Sequence, residues 1–247
     1  MDILAPKVRE NAAPRPTLVW ICGGAYMVVD RSVWVPEMQY FARRGFVVAS
    51  IEYRTSNEAR FPAQLEDVKA AIRYLKAHSA EYCVDPDRVF VMGESAGGSL
   101  ASLAAVTGDR PEFDVGDNLH VNSRVRGAID IYGPCVLGEE QLGAANNPDV
   151  PNWTMAAWLG APLTMEKLAR GSATTYLSAD TPPFMILHGS ADATVPIALS
   201  GRFYAALQEA GVPSDYLVLE GAGHGDQRFY QDEVKERILG FMRRVSE

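Results

Sequence analysis

The sequence has little with which to hold a polyanion. Lys and Arg total 23 against 31 Asp and Glu, the formal net charge is −8, and no run of five basic residues occurs. That balance argues against a nucleic-acid partner. Long apolar runs are lacking too: no stretch of 18 apolar residues exists, so no segment reads as a membrane span. The opening MDILAPKVRE has no charged region leading into an apolar core, so no secretory signal is read there. Cysteine is scarce. Cys22, Cys83 and Cys135 form an odd set at no metal-ligand spacing, which suits a reducing compartment. A cytoplasmic protein is expected, with no metal and no cofactor. The tripeptide Asn152-Trp153-Thr154 matches a glycosylation sequon, which without a secretion signal reads as chance.

What is present is a rhythm. The chain has 247 residues, 47% of them hydrophobic, enough for one large core and one domain over 1–247. Short apolar runs recur at 17–23, 46–54, 88–93, 125–133, 183–190 and 214–221. They are rich in β-branched residues and apolar on both alternations, as strands covered on both faces require. Helical patterns fill the gaps. Residues 62–82 start at Pro62 and carry Leu65, Val68, Ile72 and Leu75 on one stripe. Residues 196–210 start at Pro196 and stop at Gly211, and 231–245 place Val234, Ile238, Phe241 and Val245 at helical spacing. The alternation predicts an α/β fold with a mostly parallel sheet. Residues 134–178 break the rhythm, being longer than one crossover helix needs. They read equally as a small cap over a site or as a two-helix crossover.

Gly93-Glu94-Ser95-Ala96-Gly97 fits G-x-S-x-G, with the strand RVFVM before it and the helical pattern SLASLAAV after it. A strand that turns into a helix within a few residues strains the serine backbone and lifts its hydroxyl above the sheet, beside a helix N-terminus. Such a nucleophile needs a base, and the base needs an orienting group. Of the four histidines, His78 and His120 lie in polar surroundings and His188 ends an apolar strand, where a buried structural role is expected. His224 lies in the small-residue loop GAGHGD just after a strand, from which an imidazole can reach over the sheet edge. Asp192 follows the strand PFMILHG and so lies at its C-terminal end, where ligand-facing groups collect. Asp130 is inside a strand, and Asp226 is too close in sequence to fold back onto His224. The order Ser95, Asp192, His224 is that of the α/β-hydrolase arrangement. For an oxyanion, the candidate donors are the N–H groups of Ala96 and of Gly23 and Gly24 in WICGGAY, with Ala25 as a further option.

With these stretches in view, the chain resembles the α/β-hydrolase esterases, in particular the small bacterial carboxylesterases grouped with feruloyl and acetyl-xylan esterases and related to hormone-sensitive-lipase-like enzymes. The resemblance covers residues 17 to 245 and rests on TLVWICGGAY, VVASIEYRTSNEARFPAQLEDVKAAIRYL, DPDRVFVMGESAGGSLAS, TPPFMILHGSADATVP and GAGHGD. It implies the α/β-hydrolase fold with a small cap insertion, and Ser95 as nucleophile, His224 as general base and acid, and Asp192 as orienter. Two departures stand out. Cys22 and Ala25 occupy the places of the family's usual first histidine and third glycine, and only residues 1–16 precede the first strong strand. MDILAP is then a remnant strand at an edge short enough to pair with a second copy in a homodimer.

The implied activity is hydrolysis of small-molecule carboxylic esters with short or compact aromatic acyl groups, acylated plant carbohydrate among them. Tyr26, Glu94 and Trp158 are expected to contact substrate. Three other readings stay open: an arylformamidase, a peptidase of the same fold, and a binding protein without catalysis. A thiol-based redox role for Cys22 and Cys135 is also conceivable, although buried lone thiols are usually packing groups.

Overall fold

The computed structural model describes residues 1–5, 13–145 and 153–247. Asn152 of the sequon and residues 146–152 of the 134–178 insertion lie outside the described residues. The strands are β1 (Asp2–Leu4), β2 (Arg15–Ile21), β3 (Val47–Ile51), β4 (Val84–Glu94), β5 (Gly127–Ile131), β6 (Phe184–Gly189) and β7 (Ser214–Leu219). They form one sheet in the order β1-β3-β2-β4-β5-β6-β7, parallel throughout except for β1, which runs antiparallel to β3. The predicted mostly parallel α/β sheet is thus observed, and Asp2–Leu4 supplies the short edge strand.

The helices are α1 (Val35–Ala42), α2 (Ala63–Ala77), α3 (Ser79–Tyr82), α4 (Ala96–Val106), α5 (Glu139–Ala145), α6 (Trp153–Leu159), α7 (Met165–Arg170), α8 (Ile197–Glu209) and α9 (Asp232–Ser246). Side-chain alternation along the strands divides the core in two. Val19, Ile21, Val89 and Val91 meet Leu65, Val68 and Ile72 of α2, Leu100 and Leu103 of α4, and Phe203 and Leu207 of α8. Leu18, Trp20, Phe90 and Met92 face the other way, onto Met38 and Phe41 of α1 and Val234, Ile238 and Phe241 of α9. Because both faces are buried, both alternations are mainly apolar, with Thr17, Ser50, Asp130 and His188 as buried polar exceptions, which is why these strands read as nearly continuous apolar runs. Among the described residues, no helix is long and apolar enough to cross a membrane.

Two features position the site. The first is the approach of β2 to the turn between β4 and α4. A Cβ on Gly97 would lie 2.1 Å from the Ile21 carbonyl oxygen, and one on Gly93 would lie 2.3 Å from the Gly97 carbonyl oxygen. Only hydrogen fits at either place. The second is the insertion, which carries α5, α6 and α7. Trp158 of α6 stacks face to face on Tyr26, with ring centroids 3.8 Å apart and planes within 4°. The Trp158 carbonyl also accepts the Phe61 N–H at 2.8 Å. This ring therefore fastens the insertion to the loop after β2.

Gly97→Ala is expected to lower the unfolding free energy by roughly 1–3 kcal/mol or more through overpacking. A urea titration checks it, and an alanine variant as stable as the parent would contradict the close approach.

Candidate active site

Ser95 sits between β4 and α4 with φ 54° and ψ −123°, a left-handed-region backbone for a residue with a side chain. The strain is held by the frame. Its N–H donates to the Ile131 carbonyl at 2.9 Å, and its own carbonyl accepts the Ser99 N–H at 3.1 Å. The hydroxyl is left at the C-terminal edge of the sheet.

His224 arrives from the loop after β7. Its Nε2 is 3.0 Å from Ser95 Oγ and its Nδ1 is 2.7 Å from Asp192 Oδ2. A carboxylate accepts only, so Nδ1 carries the proton and donates; Nε2 then accepts from the serine hydroxyl. Asp192 lies on the turn after β6 with its side chain fully buried, whereas the His224 ring keeps 20% of its side-chain surface exposed. The second carboxylate oxygen, Oδ1, accepts the N–H groups of Thr194 at 2.8 Å and Val195 at 2.9 Å.

The other histidines and acids are engaged elsewhere. His78 Nδ1 pairs with the Tyr74 carbonyl at 2.8 Å, and His120 is exposed. Asp130 is buried against the Gly133 N–H at 2.9 Å and the Cys135 thiol at 3.2 Å, and burial pushes its pKa up to about 7. Asp226 binds Arg228. His188 is buried, as its strand end foretold, but it also lies 3.3 Å from Asp192 Oδ2. Sequence reasoning missed that contact; its one visible signal was a spacing of four residues.

The loop after β2 has three successive positive-φ residues: Gly24 at 114°, Ala25 at 56° and Tyr26 at 61°. Gly24 is obligatory, since a Cβ there would lie 1.9 Å from the Val28 carbonyl oxygen. The loop is gripped from two sides where Cys22 replaces the family's usual histidine. Tyr53 donates its hydroxyl to the Cys22 carbonyl at 3.1 Å, and Glu94 Oε1 accepts the Gly23 N–H at 2.7 Å.

That second bond corrects one expectation. The Gly23 amide is occupied by a carboxylate and is not free to serve an oxyanion. Among the described residues, none accepts from the N–H of Gly24, Ala25 or Ala96, and Ala25 and Ala96 border the cavity at Ser95.

Two further expectations need correction. Glu94 does not line the cavity, because its carboxylate turns to Gly23; burial raises its pKa, while that N–H, the nearby His224 and the neighbouring Tyr132 and Trp34 pull it down. Trp158 is 0% exposed and supports Tyr26 from behind, so it does not reach the cavity either.

The cavity at Ser95 has a volume of about 340 Å³. Ala25 and Tyr26 form one wall, Pro134, Leu137 and Met155 of the insertion a second, and Val195 and Leu199 a third. Gln141 and Thr154 add polar groups. Tyr26 therefore borders the cavity, as expected. Cys22 is buried with its pKa pushed up to about 11, and burial holds Cys135 well above the ordinary thiol range. Neither thiol has the thiolate character that redox chemistry needs. Among the described residues, no cluster of three or more His, Cys, Asp or Glu could hold a metal ion. A strained serine hydroxyl on an imidazole, an imidazole on a buried carboxylate, and free amides beside an apolar cavity together suit acyl transfer.

Proteins of known class resemble the chain over most of its length. Residues 1–207 match the family model BD-FAE. The probable carboxylic ester hydrolase LipM of Mycobacterium tuberculosis is 36% identical over 212 residues, covering 85% of this chain and 48% of LipM. Esterase LipQ of the same organism is 32% identical over 222 residues, covering 87% of this chain and 52% of LipQ. The chain thus spans about half the length of these curated relatives. Among solved structures, a truncated carbohydrate esterase from gut microbiota superposes with a TM-score of 0.85 at 27% identity, covering 99% of this chain and 90% of that one. A propionate-bound esterase of Thermogutta terrifontis gives 0.81 at 26% identity, covering 98% and 88%. The fold is the α/β-hydrolase fold. The chain belongs to the BD-FAE family.

On an activated ester, Glu94→Ala is expected to lower kcat by up to about 10²-fold, short of the loss of a whole oxyanion donor. Glu94→Gln keeps an acceptor for Gly23 and is expected to lose less. Steady-state kinetics of the two variants check the ranking.

Proposed function

We propose that the chain is a serine carboxylesterase acting on short-chain or compact aromatic acyl esters, with acetylated or feruloylated plant carbohydrate as its natural substrate class. The observation that carries the reading is the unbroken run of contacts from Asp192 through His224 to Ser95, opening on the cavity at Ser95. The names of the relatives and neighbours support the same chemistry. They include two ester hydrolases, a carbohydrate esterase and an acetyl ester-xyloside bifunctional hydrolase from Caldicellulosiruptor lactoaceticus, the last with a TM-score of 0.80 at 26% identity.

In this mechanism Ser95 Oγ attacks the ester carbonyl carbon while His224 Nε2 takes its proton. The new imidazolium faces the Asp192 carboxylate, which stabilises it without taking the proton. The carbonyl oxygen becomes an oxyanion held by the amides of Ala96 and of Gly24 or Ala25. The tetrahedral species collapses, His224 protonates the departing alkoxide, and an acyl group remains on Ser95. Water then repeats the sequence with His224 as base, which frees the acid and restores the serine.

The cavity sets the acyl preference. About 340 Å³ with mainly apolar walls holds a short aliphatic or single-ring acyl group and leaves a long chain partly in water.

The test is hydrolysis of p-nitrophenyl esters from acetate to octanoate by the wild type and Ser95→Ala. The wild type is expected to turn over the shortest esters fastest, and the variant to lose roughly 10⁶-fold in kcat. A wild type inactive on every ester, or a variant that keeps its rate, refutes the proposal.

A further inference from the structure

Asp192 is approached by a second imidazole. His188, near the end of β6, has no exposed side-chain surface, and neither has Asp192. Its Nε2 lies 2.9 Å from the Val195 carbonyl oxygen and 3.3 Å from Asp192 Oδ2. Its Nδ1 lies 2.7 Å from Ser200 Oγ on α8. These partners fix the tautomer. A carbonyl and a carboxylate only accept, so Nε2 bears the hydrogen and shares it between them, and the Ser200 hydroxyl donates to Nδ1. Burial pushes the His188 pKa below the ordinary histidine range, which matches a neutral ring with one N–H.

The contacts form a closed cycle. Val195 gives its N–H to Asp192 Oδ1, and its C=O receives the His188 N–H, which also reaches Asp192 Oδ2. The carboxylate is therefore held at both oxygens, one by two amides and the other between two imidazoles. Rotation about its Cβ–Cγ bond breaks contacts on both sides. A histidine that merely tied β6 to α8 would need only its Ser200 contact and an acceptor for Nε2–H. It would not need to grip the very peptide that holds Asp192.

We infer that His188 is a positioning residue for the proposed ester hydrolysis, locking Asp192 in the rotation that serves His224; the inference rests on the esterase reading above. The locked carboxylate acts when His224 is an imidazolium, during acylation and again during deacylation. Loss of the lock therefore falls chiefly on kcat; Val195, whose carbonyl His188 holds, also borders the cavity, but its N–H bond to Asp192 Oδ1 remains to keep that wall in place.

The test uses the full chain. Activity of the wild type on p-nitrophenyl acetate is measured first, because its absence overturns the esterase reading and this inference with it. With an active wild type, folded His188→Leu is expected to lose roughly 10- to 100-fold in kcat, the usual cost of misplacing a reacting group through its support. KM is expected to stay within about two-fold, the signature of an interaction made in the transition state. His188→Gln, whose amide N–H reaches the place of Nε2–H, is expected to recover most of the loss. Nitrogen-15 NMR of the histidine rings in the wild type is expected to show His188 neutral and protonated at Nε2. In the leucine variant the downfield proton of the His224–Asp192 hydrogen bond is expected to move. Unchanged kcat in folded His188→Leu overturns the inference while leaving the esterase reading intact. A wild-type ring protonated at Nδ1 overturns it even where the leucine variant fails to fold.

Discussion

Everything at this site depends on a contact that admits no side chain. The Ile21 carbonyl at the end of β2 lies against Gly97 in the first turn of α4, and the Gly97 carbonyl lies against Gly93. Backbone meets backbone, so the loop that leaves β2 starts beside the residue that leaves β4. From that adjacency follow the bond from Gly23 to Glu94, the nearness of Ala25 to Ser95, and a common cavity for both. The strained conformation of Ser95 is possible because parallel strands on either side of β4 hold the turn rigidly.

The division of labour around Ser95 follows chain topology. Strand ends supply the fixed elements: the serine after β4, the acid after β6 and the histidine after β7. Sheet register sets where those strand ends lie, and the turn after β6 fixes Asp192 through the amides of Thr194 and Val195. The insertion supplies a different kind of element, since Pro134, Leu137 and Met155 form a wall of the cavity without contributing to the proton-transfer array. This is the arrangement expected where chemistry is kept and substrate choice is altered.

The sequence carried the sheet well because continuous apolar runs have one reading when turn residues flank them and helices follow. Val89, Val91, Phe90 and Met92 face opposite cores, so both alternations had to be apolar. The convergence of Ser95, Asp192 and His224 was legible for a similar reason: each stands at a strand's C-terminal end, and parallel strands bring those ends together. The corrected residues are those whose roles depend on distant partners. Gly23 looked like a free donor because Glu94, 71 residues away, shows no mark of its hydrogen bond in the sequence. Trp158 looked like a pocket aromatic, yet a parallel stack on Tyr26 buries the whole ring. The walls from Leu137 and Met155 follow no local periodicity, and the helical stripe that carries Leu199 shows nothing in the sequence of the cavity it borders. Helix α1 went unread because its eight residues are few for a periodic signal.

The Tyr26–Trp158 stack joins two parts of the molecule with different demands. Tyr26 belongs to the strained loop that borders Ser95, and Trp158 belongs to the insertion that shapes the cavity. A flat ring against a flat ring resists tilting but leaves the surrounding helix surface free to vary. As a design principle, that makes the insertion a part held at a few fixed points: this stack, the Phe61 N–H on the Trp158 carbonyl, and Glu140 on Arg202 of α8. Recombination or directed evolution can exchange the surfaces around Leu137 and Met155 to fit a different acyl group, provided an aromatic face is kept behind Tyr26. Substrate range and reaction geometry are then heritable separately as long as those fixed points are kept.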